Sequence, residues 1–177
     1  MLKQLIITGC LACLLFAWNG RLTAQATILS AQDMLAVFAL QFDLTLPDTT
    51  FTEMEPGAVW EETSTEAKIL CNAMPIPFER VLRDTTDITT SPEITLLHQG
   101  RLDLNGVPGY LIAMEFLQTE GERQATPFLG LMYIRPLDTK TALTINAAYP
   151  KRQHERLYPK MLAAFASVRP RATGKGQ

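Results

Sequence analysis

Cysteine is scarce in this 177-residue chain, and what there is sits badly for cross-linking. Of three cysteines, Cys10 and Cys13 fall near the start, and Cys71 stands alone after them. That rules out a disulfide framework and a cysteine cluster for a metal. Histidine is scarcer: His98 and His154 are far apart, with no second ligand at metal-binding spacing. Ser30, Ser64, Ser91 and Ser167 lie in no Gly-x-Ser-x-Gly elbow, and no glycine-rich phosphate cradle occurs. Internal repeats and low-complexity tracts are absent too. After the first two dozen residues, no apolar run is long enough to span ~30 Å of hydrocarbon.

What is present begins with the leader. Lys3 supplies a positive start, residues 5–18 are mostly apolar, and Thr23-Ala24-Gln25-Ala26 ends in a small-x-small pattern. This is the layout of a secretory signal peptide, with cleavage expected after Ala26. Ile7-Thr8-Gly9-Cys10 also matches the box before a lipidated cysteine. Most of the apolar stretch follows Cys10 rather than preceding it, which favours cleavage at Ala26 over lipidation at Cys10. Removing residues 1–26 leaves 151, one domain's worth, large enough to bury roughly 70% of the surface its unfolded chain exposes. The expected divisions are a signal peptide at 1–26, one α+β domain at 27–169 and a flexible tail at 170–177.

The charges are unevenly placed. Residues 27–150 carry seven Lys/Arg against 17 Asp/Glu, and residues 151–177 carry seven Lys/Arg against Glu155 alone. Arg152, Arg156 and Lys160 fall on one side of a helical wheel, away from an apolar stripe of Leu157, Met161, Phe165 and Val168. Such a stripe of cations can contact an anionic membrane surface weakly. The plain alternative is a solvated helix face, suited to the helix dipole.

Periodicity sets out the elements. Ser30 to Asp33 reads as a helix start, and Leu35, Phe38 and Phe42 follow at helical spacing, which predicts a helix over 30–40 with those side chains inward. Phe42, Leu44 and Leu46 then alternate as a short strand ended by Pro47. Short strands follow around Val59–Trp60 and over 67–73, and Phe78–Arg83 reads as a helical turn. Asp84–Pro92 is the best loop candidate. Strands are expected at 94–104, 109–118, 127–135 and 142–149, with a tight hairpin at Asn105-Gly106. A helix over 153–168 follows, beginning or kinking at Pro159. The fold class is α+β: an antiparallel meander of about six strands covered by N-terminal and C-terminal helices.

The order of these segments resembles a family. Phe42–Pro47 (Phe-x-Leu-x-Leu-Pro), Gly106-Val107-Pro108-Gly109-Tyr110, Tyr149-Pro150 and the ending Phe165-Ala166-Ser167-Val168-Arg169 resemble the PsbP/Mog1-like α-β-α sandwich group over roughly residues 40–170. The group includes many small exported bacterial proteins. Its known members are accessory or binding proteins: a photosystem II extrinsic subunit, a Ran-binding nuclear factor and bacterial envelope lipoproteins. The resemblance implies a binder by analogy and carries no catalytic residue with it.

Single residues add little chemistry. His98 falls on the apolar parity of its strand and reads as a half-buried structural residue before a ligand or base. His154-Glu155 reads as solvent-exposed. Cys71, in step with Ile69 and Ala73, reads as core. Asp84 and Asp87 flank an oxygen-rich loop without EF-hand spacing. The expected function is an exported, non-enzymatic accessory or binding protein of the cell envelope, periplasmic or extracellular. Its partner would be a protein, held through Asp84, Asp87, Arg152, Arg156 and Lys160; no cofactor and no nucleic acid are expected. The alternative is a hydrolase or metal-dependent enzyme whose site converges only in three dimensions, with His98, Cys71 and a carboxylate in one pocket. N-terminal sequencing of the exported protein should begin at Thr27, and a start at a lipidated Cys10 would overturn the leader assignment.

Overall fold

The computed structural model describes residues 31–47, 49–62, 64–85, 94–118 and 125–171. The leader and its cleavage site lie outside the described residues. Three helices are described: α1 (Ala31–Phe38), α2 (Phe78–Thr85) and α3 (His154–Ser167). The strands are β1 (Phe42–Asp43), β2 (Phe51–Glu55), β3 (Val59–Glu62), β4 (Ala67–Met74), β5 (Ile94–Arg101), β6 (Tyr110–Gln118), β7 (Thr126–Pro136), β8 (Ala142–Pro150) and β9 (Arg169–Pro170).

β2 to β8 form a seven-stranded antiparallel sheet in the order β2-β3-β4-β8-β7-β6-β5, one strand more than the sequence pattern suggests. The extra strand is β2, an edge strand with only Phe51 buried, so no alternation of apolar residues announces it. β5 to β8 are consecutive neighbours, as short connections require, and β6 pairs with both β5 and β7. The hairpin between β5 and β6 turns at Asn105 and Gly106, both at positive φ (53° and 77°), with a Leu104–Val107 bridge closing it.

Each face of the sheet has its own core. On one face Ile69, Cys71, Leu131, Tyr133, Ile145 and Tyr149 pack with Leu157, Met161, Ala164 and Phe165 of α3. On the other, Met74, Ile112, Met114, Met132 and Ile134 pack with Val81 of α2. β8 is the middle strand and all nine of its residues are buried. The glycine motif after the hairpin has a steric reason. The Tyr133 ring crosses Gly109, where a Cβ would lie 2.3 Å from the Tyr133 Oη, and the hydroxyl sits 3.2 Å from the Leu102 and Val107 carbonyl oxygens. Burial raises the Tyr133 pKa above the usual phenol value.

Several details depart from the pattern. α3 starts at His154, after a 3-10 turn over Lys151–Gln153, and runs through Pro159. α2 continues to Thr85, past the expected end at Arg83. Only Phe42 and Asp43 of the expected 42–46 strand are extended-paired, and their partner is β9, not the large sheet. Beyond them, the Thr45 amide bonds the Ser167 Oγ at 2.7 Å, which turns the chain away along the end of α3.

The largest departure is in α1. Leu35 and Phe38 are 69% and 59% exposed, and Met34 is also exposed. Val37 and Leu40 turn inward instead. Phe42 explains the rotation. It is fully buried, held by its pairing with β9 and by a 2.8 Å bond from its amide to the Gly57 carbonyl. With Phe42 filling the core, the helix before it faces inward through the residues three apart that remain, 37 and 40.

α3 is fixed to the sheet through Phe165, fully buried and stacked on Tyr133 with ring centroids 6.2 Å apart. Phe165→Ala should lower unfolding stability by about 3–5 kcal/mol in urea titration, through lost burial and the cavity left. A loss below about 1 kcal/mol would contradict that packing.

Candidate functional site

The residues singled out for chemistry do not converge. Cys71 lies in a lateral row Cys71–Ile145–Tyr133–Leu111–Gly100 across five strands. His98 sits on the same far strand, β5, so four strand spacings, about 19 Å, separate it from Cys71. The Cys71 thiol is buried, and burial pushes its pKa up to about 12, opposed weakly by the Arg135 charge. At neutral pH it is a protonated core residue. His98 is exposed, not half-buried. β5 is an edge strand of the sheet, and Thr95, Leu96, Leu97 and His98 are all exposed, on both parities, so sharing the apolar parity buries neither Leu96 nor His98.

Asp84 falls within α2, but its side chain lies outside the described residues, as does Asp87. Among the described residues, no group of three or more His, Cys, Asp or Glu side chains could hold a metal ion.

The basic residues have different neighbours from those the wheel suggests. Arg152 is exposed on the 3-10 turn. Lys160 is half-buried and has an interaction of its own. Arg156 reaches across to Glu62 at the end of β3, with Nη2 donating at 3.2 and 3.0 Å to the two carboxylate oxygens. Arg156 therefore does not belong to an uncommitted stripe of cations. Lys151 pairs with Glu115 at 2.7 Å, and Arg171 pairs with Asp43 and Glu53 at 2.7 and 2.8 Å. Cations of the basic end thus close onto carboxylates of the acidic body.

Glu62 is the centre of the best-built polar cluster described. Its side chain is 1% exposed. Besides Arg156, the Thr50 hydroxyl donates to it at 2.7 Å and the Thr65 hydroxyl donates to its other oxygen. Burial alone would raise the Glu62 pKa; the bonds from Thr65, Thr50 and Arg156 outweigh it and hold the carboxyl below its usual value. Nearby, the Tyr149 hydroxyl lies 3.2 Å from His154 Nδ1, and the His154 ring meets Tyr158 with centroids 4.9 Å apart. Burial drives the Tyr149 pKa upward, with Tyr158 adding to it. The Glu62 carboxylate is satisfied by Thr50, Thr65 and Arg156, and the cluster ties the start of α3 to the sheet. Sequence reading missed Glu62 because its partners Thr50, Thr65 and Arg156 are dispersed along the chain. A glutamate on the inward parity of Trp60 was the one available signal.

No family model and no curated protein matches the chain. Solved structures do. LpqN, involved in cell envelope biogenesis of Mycobacterium tuberculosis, is 11% identical with a TM-score of 0.52, over 75% of this chain and 84% of that one. A protein of Bacteroides thetaiotaomicron is 12% identical with a TM-score of 0.51, over 77% of this chain. This chain spans about half of that protein, 47% of its length. Matches also include the Saccharomyces cerevisiae Ran-binding protein Mog1p (8% identity, TM-score 0.47, 74% of this chain and 96% of that one). Cyanobacterial PsbP from Synechocystis is another (10% identity, TM-score 0.45, 85% and 99%). At 11% identity the likeness to LpqN is one of fold.

Arg156→Met leaves the buried Glu62 carboxylate with its two threonines only. Because Arg156 is 39% exposed and water screens its charge, the expected loss is about 1–2 kcal/mol, against less than about 0.5 for Arg152→Met. The Glu62 contribution has a defined pH sign. A carboxyl held below its unfolded value of 4.5 stabilises fully above that pH and loses its effect as pH falls through the lower folded value. Urea titrations from pH 7 to 3 should show that acid loss in the wild type and a smaller one in Glu62→Gln.

Proposed function

We propose that this chain is an exported binding protein of the cell envelope that works by contact with a protein partner rather than by chemistry on a small substrate. The observation that carries the reading is the outward apolar stripe of α1. On a wheel, Phe38 falls between Met34 and Leu35, so the three make one continuous strip, and all three are exposed. A helix that shows its apolar side to water is short of a partner. Among the described side chains, Val37 and the following Leu40 make the inward apolar contacts of α1. The reactive groups, by contrast, are spread over the sheet or neutralised in pairs.

Export rests on the leader, residues 1–26, and the periplasm or cell exterior is the compartment it implies. No helix among the described residues is long and apolar enough to cross a membrane. The fold shared with LpqN, whose work is in envelope biogenesis, supports the same setting. Asp84 and Asp87 stay in the proposal as flanking acidic contacts, and Arg152 as a basic one. Contact with an anionic membrane surface is the weaker reading, because Arg156 is spent on Glu62.

A photo-crosslinking residue at position 35 should give a discrete protein adduct in envelope fractions, while the same residue at position 152 should not. Leu35→Glu/Phe38→Glu should abolish the adduct formed from position 34 and change stability by less than about 0.5 kcal/mol, since both side chains face water. Equal adducts from positions 35 and 152 would refute the α1 contact.

A further inference from the structure

The connection after α1 is held by the opposite end of the chain. β1 pairs with β9 through Phe42–Pro170 and Asp43–Arg169. The next residue, Arg171, donates from its backbone amide to the Gln41 carbonyl at 2.8 Å. Its guanidinium bridges two elements, with Nε on Asp43 Oδ1 at 2.7 Å and Nη2 on Glu53 Oε1 at 2.8 Å. The same Glu53 oxygen accepts the Gly57 amide, and the Gly57 carbonyl accepts the Phe42 amide. Gly57 stands at φ +63°, and a Cβ there would come within 2.5 Å of the Gln41 Cβ. Six positions, 41, 42, 43, 53, 57 and 171, therefore fix the exit of α1 in one small knot.

We infer that residues 169–171 are a latch, and that α1 with its exit at Gln41 is an arm the latch holds and can release without unfolding the sheet. The arm is loosely built. Val37 and Leu40 face inward, Leu35 and Phe38 face outward, and the ion pairs of Arg171 lie at the surface. Exposed ion pairs are weak and screened by salt, so the latch opens at a small fraction of the cost of global unfolding. The body it leaves behind keeps every strand pair of the large sheet. Beneath the arm lies β4, whose inward side chains include Cys71 and Ala73. Opening uncovers that strand and lengthens the apolar surface α1 offers. The latch stands whether or not the partner proposed above exists.

Amide hydrogen exchange of the purified full chain tests it. Arg171→Ala should speed exchange at residues 34–40 by about three- to tenfold, leaving β7 and β8 amides unchanged. Truncation after Val168, which also removes the backbone bonds, should speed it further. Thiol labelling at Cys71, read by peptide mass spectrometry, should rise in parallel. Raised salt should accelerate the wild type and leave Arg171→Ala nearly unmoved. Unchanged exchange at 34–40 in Arg171→Ala would overturn the latch, as would equal acceleration of β7 and β8, which would mean global destabilisation. Should the truncated chain fail to fold, Arg171→Ala alone decides.

Discussion

The ladder between β4 and β8 is the joint on which the molecule depends. It runs from Lys68–Ala148 to Met74–Ala142 and closes the longest loop in the sheet. On one side lie β2, β3 and β4, a small antiparallel run; on the other lies the meander β5 to β8. Neither half buries both of its faces alone. Along the joint, Ala67, Ile69, Cys71 and Ala73 of β4 and Leu143, Ile145, Ala147 and Tyr149 of β8 share one core with α3. Closing so long a loop is slow and entropically costly, but once made it places β8 at the centre with every residue buried.

From that joint the polar end of the sheet follows. Pairing β4 with β8 brings the end of β3 beside the start of α3, and so sets Glu62 against Arg156. A buried carboxylate without a partner would be expensive, and one with a single solvated arginine would still be poorly served. Two threonines complete it. The same closure draws the chain termini of the domain together, so that Arg171 meets Asp43 and Glu53. An acidic body and a basic end, which in sequence suggest an external anionic target, are in part each other's counter-ions, through Lys151, Arg156 and Arg171.

The recognition role proposed above rests on where these groups lie. Catalysis needs an activated group, its orienting partner and room for substrate at one place. Here the thiol is buried and protonated, His98 lies about 19 Å from it, and the Glu62 carboxylate is ion-paired with Arg156. Apolar side chains of α1, which lies over β4, face water, as do Met54, Leu97 and Leu117 on the strands. Under the proposed function the sheet is the scaffold and α1 a loosely held contact element on it.

The sequence by itself determined the parts governed by neighbours. Period-two alternation and Asn105-Gly106 defined the β5–β8 meander, and the 157/161/165/168 stripe defined the inner side of α3, because both depend on local geometry. The lone core cysteine was legible for the same reason, since its parity with Ile69 and Ala73 was unbroken. Only tertiary structure decided the rest. The rotation of α1 hung on Phe42 taking the core site that Leu35 and Phe38 also matched. The exposure of His98 hung on β5 taking an edge position in the sheet, which its own alternation does not reveal. β2 has one buried residue and no pattern to read. Glu62 with Arg156, and Arg171 with Asp43 and Glu53, join positions some 90 to 130 residues apart. No local rule reaches that far; such pairs exist only after the β4–β8 ladder has folded the two ends of the chain onto each other.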